Sequence, residues 1–279
     1  MDGARELTLQ TADGTALFVS DHLIDRSASG QAQRGGLVLM HGLGEHSGRY
    51  PHVVRFLNDC GWSVRRYDHR GHGRSGGPVG DVPDGEAMLR DAKLVIDDFT
   101  QQLGTPPILF GHSMGGLFAA RFAIAGLSPL RGLVLSSPGL ALWLSAPQKL
   151  ILKIIGVLAP GLAVSNGLET RYLSHDQAVI DDYKDDPLVH PKISARLLNG
   201  MLDAINFSQS HAAALAIPTL MLIAGDDHLV DPSGSKAFFE KLAPGIGTMH
   251  LYPKMYHELF NELDAQILFD DLRTWLSKQ

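Results

Sequence analysis

A short apolar run, Ile108-Leu109-Phe110, leads into Gly111-His112-Ser113-Met114-Gly115-Gly116 and then into the helix-forming stretch Leu117-Phe118-Ala119-Ala120-Arg121-Phe122. Strand, Gly-x-Ser-x-Gly turn and helix in that order describe a nucleophile elbow, where the backbone reverses sharply and lifts one serine hydroxyl to the apex. The glycines are needed because a Cβ at those positions strikes the strand or the helix where the two backbones approach. The pattern therefore demands a strand beneath it and a helix leaving it, and it makes Ser113 the expected attacking group of an acyl-enzyme step.

The same five-residue pattern occurs again at Gly73-Arg74-Ser75-Gly76-Gly77. There it follows the polar, Gly-rich Asp68-His69-Arg70-Gly71-His72 and precedes Pro78, so no strand enters it and no helix leaves it. Ser75 is expected to be a loop serine, with Arg70, His72 and Arg74 serving structure.

Around the elbow, apolar strands alternate with helical patterns. Alternation near Leu7, Leu9, Ala16 and Phe18 about the Asp13-Gly14 turn predicts an N-terminal hairpin. Further strands are predicted over 37–40, 62–67, 108–110, 133–135, 220–223 and 249–252, and helices over 53–57, 86–103 and 267–276. This is an α/β chain with a mainly parallel sheet flanked by helices. The stretch 139–206 breaks the rhythm and shows no strand pattern. It is expected to be an inserted helical cap on a core formed by 1–138 and 207–279. A helix over 147–158 would place Leu150, Ile151, Ile154, Val157 and Leu158 on one face, with Lys149 and Lys153 opposite. Leu150 and Ile154 are expected at the entrance to an apolar site. The surplus apolar surface from Leu142, Trp143, Leu144 and Leu152 predicts transient docking on lipid interfaces.

A formal charge of −6 without a basic cluster argues against nucleic acid as a partner. The only cysteine, Cys60, rules out an internal disulfide and reads as a buried helical thiol. Neither a basic-then-apolar leader nor an apolar run of membrane-spanning length is present, so a cytoplasmic protein, peripheral to membranes through its cap, is expected.

A serine hydroxyl needs a base within hydrogen-bond reach, and the base needs an acid to hold its tautomer. With an elbow serine, the acid follows a late strand and the histidine follows the last one. His257 satisfies the second condition. Asp226, Asp227 and Asp231 all satisfy the first, and position alone does not separate them. An oxyanion hole completes such a site, with one donor from the Met114 N–H. The second is expected from the turn His41-Gly42-Leu43-Gly44, through the Leu43 N–H. Serine chemistry of this kind requires no metal and no cofactor.

With these residues in place the chain resembles the monoacylglycerol lipase and lysophospholipase group of the α/β-hydrolase superfamily. The resemblance rests on His41 to Tyr50, Tyr67 to Ser75, Gly111 to Gly116 and, in the cap, Tyr183 to Leu188. It implies the α/β-hydrolase fold with a cap over an apolar acyl tunnel, and it assigns the acid to Asp227. It also implies that Glu45, Arg49 and Tyr183 lie at the polar end, where a glycerol headgroup rests. Glu45 and Arg49 are equally suited to an ion pair that braces the oxyanion loop. Where mammalian monoacylglycerol lipases carry a second histidine, three residues past the first, this chain has Phe260. The implied activity is that of a serine lipase or esterase cleaving monoacylglycerols or related acyl esters. Lysophospholipase, aminopeptidase, carboxylesterase and thioesterase activities share the same machinery, and a non-catalytic binder can reuse the fold. The chemistry of relatives that attack with aspartate at the elbow is disfavoured by Ser113.

Overall fold

Val38 and Met40 turn to one face of their strand and Leu37 and Leu39 to the other, and none of the four is accessible to solvent. A strand apolar on both faces must be covered twice, and this one lies at the centre of the fold. The computed structural model describes residues 4–24, 33–143 and 158–279. Its strands are β1 (Ala4–Gln10), β2 (Ala16–His22), β3 (Gly35–Met40), β4 (Trp62–Tyr67), β5 (Ile108–His112), β6 (Gly132–Ser136), β7 (Ala163–Ser165), β8 (Lys192–Ser194), β9 (Thr219–Ala224) and β10 (Gly247–Tyr252). The described α-helices are α1 (Pro51–Asp59), α2 (Ala87–Leu103), α3 (Met114–Ile124), α4 (Gln177–Asp185), α5 (Ala195–His211), α6 (Pro232–Phe239) and α7 (Gln266–Leu276).

Eight of the described strands form one sheet in the order β1-β2-β4-β3-β5-β6-β9-β10. The first two pairings, β1 with β2 and β2 with β4, are antiparallel, and every later one is parallel. This is the α/β-hydrolase fold. Helices α2 and α3 cover one face through Phe99, Leu117 and Phe118, and α1 and α7 cover the other through Val53, Leu57 and Leu268. The parallel strands all end on one edge, so the loops after β3, β5, β9 and β10 meet there.

The insertion departs from expectation in one respect. It is not wholly helical, because β7 and β8 form an antiparallel pair from Ala163↔Ser194 to Ser165↔Lys192. Strands of three residues are too short to display alternation in sequence. Helix α5 is unbroken across residue 206 and packs on α3, so the insertion's last helix is also a wall of the core. Core and insertion are pinned at several points. The His190 N–H donates to the Gly44 carbonyl (2.8 Å), His46 Nε2 pairs with Asp186 (2.8 Å), and buried Asp81 accepts from Ser194 Oγ (2.6 Å). Most of the helix expected over 147–158, including Leu150 and Ile154, lies outside the described residues. Cys60 is only half-buried, at the C-cap of α1.

Candidate active site

Ser113 joins β5 to α3 with φ 53° and ψ −120°, a left-handed conformation that side-chain-bearing residues rarely hold. The surrounding contacts hold it there. The Ser113 N–H donates to the Ser136 carbonyl (3.0 Å), and its own carbonyl accepts from Leu117 and Gly139 (3.0 Å each). A Cβ on Gly115 would meet the His41 carbonyl oxygen at 2.5 Å, and one on Gly111 would meet the Gly115 carbonyl oxygen at 2.5 Å. Only glycine lets α3 start so close to β3 and β5. Ser75, by contrast, is structural: its hydroxyl donates to the Asp68 carbonyl (2.6 Å) and accepts from the Phe18 N–H (2.8 Å). Arg70 forks onto Asp91 at 2.5 and 2.6 Å, and Arg74 onto Glu6 at 2.8 and 2.9 Å.

The loops after β9 and β10 bring Asp227 and His257 to Ser113. Asp227 Oδ1 accepts from the Leu229 and Val230 N–H groups (2.9 Å each), which aims Oδ2 at His257 Nδ1, 2.7 Å away. With the Nδ1 proton directed to the carboxylate, Nε2 is left to accept from the Ser113 hydroxyl at 2.8 Å. The other two acids are engaged elsewhere: Asp226 is exposed beside His228 (3.1 Å), and Asp231 caps α6 through the Ser233 N–H. Burial alone would lower the His257 pKa. The Asp227 charge and hydrogen bond, aided by Glu258 and Glu45, outweigh it and raise the pKa above the usual imidazole value. Burial raises Asp227, but His257 and the two backbone donors hold it below the ordinary carboxylate value. His112, whose ring lies 4.8 Å from that of His257, is pushed down to about 4 by burial and by the neighbouring imidazole.

Leu43 and Met114 both line the cavity above Ser113. Among the described residues neither N–H is used in a hydrogen bond within the protein, so both are free for an oxyanion. Glu45 fixes the Leu43 turn by accepting from the Gly42 N–H (2.6 Å) and from the Tyr50 hydroxyl (2.6 Å). Its other oxygen accepts from Arg49 (2.8 Å). Arg49 also forks onto Glu258 at 2.5 and 2.8 Å, and the Tyr183 ring covers the guanidinium at 4.7 Å. Glu45, Tyr183 and Glu258 line the cavity, whereas Arg49 sits behind them. The bracing ion pair is therefore present, and it extends to a carboxylate that the sequence reading did not single out. Glu258 was in plain view beside His257, but its partner lies 209 residues away and no local pattern joins them. Phe260 faces away, packed among Phe110 and Phe269 with ring centroids 5.4 and 5.2 Å distant.

Two further features escaped the sequence. The insertion touches the base loop directly: the His257 and Glu258 N–H groups donate to the carbonyls of Tyr172 (3.4 Å) and Leu173 (2.8 Å). Beneath the turn from His41 to Gly44, His41, His69 and His72 pack ring against ring, with His190 of the insertion 4.5 Å from His72. His41 Nδ1 donates to the Gly42 carbonyl (2.8 Å) while its Nε2 accepts from the His69 N–H (2.9 Å), which fixes a neutral ring. Burial drives His41 and His69 well below the usual imidazole value and His72 down to about 3.

The cavity measures about 320 Å³. Leu142, Trp143, Ile193, Leu198 and Met201 give it an apolar side, and Glu45, Tyr183 and Glu258 a polar one, with Ser113 and His257 opening between them. The family model described as serine aminopeptidase, S33, matches residues 31–264. The monoacylglycerol lipase of Mycolicibacterium smegmatis is 34% identical over 254 residues, covering 87% of this chain and 88% of that protein. Phospholipase YtpA of Bacillus subtilis is 30% identical over 243 residues, covering 86% and 93% respectively. The crystal structure of Paleococcus ferrophilus monoacylglycerol lipase matches with a TM-score of 0.82 at 32% identity, covering 99% of both chains.

Proposed function

The chain belongs to the serine aminopeptidase S33 family of α/β-hydrolases, and as a serine hydrolase of that family we propose that it cleaves monoacylglycerols to glycerol and fatty acid. The observation that carries the reading is the hydrogen-bonded chain Ser113–His257–Asp227, opening into a cavity that is apolar on one side and polar on the other. Ser113 Oγ attacks the ester carbonyl carbon as its proton passes to His257 Nε2. The Leu43 and Met114 N–H groups receive the oxyanion, each such donor contributing ~3 kcal/mol to the transition state. When the tetrahedral centre collapses, the bond to the glycerol oxygen breaks and His257 returns the proton to that oxygen. Water then attacks the acyl-enzyme by the same route and releases the fatty acid.

Residues 139–206 act as a cap over the core. The acyl chain lies along the apolar side, lined by Leu142, Trp143 and Leu198, and the glycerol hydroxyls meet Glu45 and Tyr183. The exposed Trp143, Leu158 and Leu162, each more than half accessible, support docking of the cap on a lipid interface. No described helix is long and apolar enough to cross a membrane. The test is release of oleate from 1-oleoylglycerol by wild type and by Ser113→Ala. Turnover abolished in a folded variant supports the reading. Hydrolysis that survives the substitution, or cleavage of short esters with none of monoacylglycerols, refutes it.

A further inference from the structure

The polar end of the cavity is notable for its sign. Glu45, Glu169 and Glu258 line it, and no lysine or arginine is among its described lining residues. The guanidinium behind it, Arg49, is shared between two carboxylates and covered by the Tyr183 ring, so the Glu45–Arg49–Glu258 group carries a net charge of −1. Glu45 and Glu258 side chains are only 4% and 5% exposed, so water screens them poorly. At the rim, Glu169 is 59% exposed and neutralised by Arg171 at 2.6 Å. Anything leaving with a negative charge must approach an uncompensated carboxylate in a partly desolvated space, where like charges repel far more strongly than in water. A neutral polyol meets only hydrogen-bond acceptors there.

Building on the glycerol-ester reading, we infer that the headgroup end of the site selects uncharged leaving groups and rejects phosphorylated ones, with Glu258 and Glu45 as the residues that set the choice. Lysophospholipids with anionic headgroups and acyl thioesters of phosphorylated carriers are then poor substrates, even though Ser113 and the apolar side accommodate their acyl chains. The selection comes from charge and not from width. Glutamine has nearly the shape of glutamate, so exchanging one for the other separates the two causes.

The experiment uses the intact 279-residue chain and two substrates that differ by one group, 1-oleoylglycerol and 1-oleoylglycerol 3-phosphate, in the same uncharged detergent. At low ionic strength kcat/KM should favour the uncharged ester by about thirtyfold or more, and added salt should narrow the gap only by about twofold, because the two carboxylates are buried. Glu258→Gln should narrow it by about tenfold. Glu169→Gln, on an exposed rim where folding is not at risk, should leave Arg171 unpaired and narrow it by roughly two- to threefold. If Glu258→Gln does not fold, the rim variant and the salt series decide. A wild-type ratio within threefold, or a large ratio that neither salt nor the two variants move, overturns the charge selection and leaves the glycerol-ester reading standing. Cleavage of the phosphorylated substrate with none of 1-oleoylglycerol overturns the glycerol-ester reading itself.

Discussion

Replacing Arg49 by methionine keeps most of the side-chain volume and removes the positive charge between Glu45 and Glu258. The guanidinium makes charged contacts of 2.8 Å to Glu45 and 2.5 and 2.8 Å to Glu258, and its side chain is 11% exposed. Orphaning buried carboxylates in this way costs about 3–5 kcal/mol, because the remaining charges keep their desolvation penalty and lose their partner. In a chain of this size that lowers Tm by on the order of 10 °C. The loss should depend on pH in a defined direction. In wild type, burial raises Glu45, but Arg49 and its other partners hold it below the ordinary glutamate value. Its contribution is therefore complete above the unfolded value and is lost as pH falls through the lowered folded one. In R49M the sign reverses: the orphaned carboxylates bind protons more readily folded than unfolded, so acid relieves the variant. The gap between the two proteins should be widest at pH 7–8 and close toward pH 4–5. Denaturant unfolding at both ends of that range measures it, and the triple variant E45Q/R49M/E258Q should recover most of the loss at neutral pH. A gap below about 1 kcal/mol at pH 8, or one of equal size at pH 8 and pH 5, would refute the strut.

Asp227→Asn should lower kcat by about three to four orders of magnitude, because an amide favours the wrong histidine tautomer. Asp226→Asn and Asp231→Asn should stay near wild type, and steady-state kinetics on a soluble ester separates the three. The raised His257 pKa places the acid limb of the kcat/KM profile above the ordinary imidazole value, with activity lost as pH falls through it. A limb centred below pH 6 would contradict the contribution of Asp227. Gly115→Ala, whose Cβ meets the Met40 and His41 carbonyls, should lower stability by about 1–3 kcal/mol and displace the Met114 donor. Phosphonate labelling and thermal unfolding of that variant report the two effects separately.

The sheet was legible because the central parallel strands β3, β5, β6 and β9 are buried on both faces and read as apolar runs. Trp62–Tyr67 came out residue for residue, and most other strands and helices within a residue or two at each end. Helix α6 was not read, since its opening Pro232-Ser233-Gly234-Ser235 has the composition of a turn. The three-residue strands β7 and β8 carry no periodicity to detect. In the site, Ser113 follows from the elbow pattern with its strand and helix, and His257 from its place after the last strand. The choice among Asp226, Asp227 and Asp231 needed either the family spacing or the observed 2.7 Å contact with His257. Glu258 and the histidines under the oxyanion loop lay beyond sequence reasoning, because their partners are distant in the chain and charge at a site is a sum over residues that only folding assembles.

The packed rings of His41, His69 and His72 give the protein an acid floor of its own. Folded, these imidazoles refuse protons that the unfolded chain accepts below about pH 6.5. Each one therefore withdraws about 1.4 kcal/mol of stability per pH unit until its own depressed value is reached, and three falling together steepen the decline. Two kinds of inactivation should then overlap in mild acid. Protonation of His257 silences the enzyme reversibly with the fold intact, and neutralisation restores it at once. Proton uptake under the Leu43 turn instead removes the scaffold on which the oxyanion hole is built, and circular dichroism would register it as unfolding.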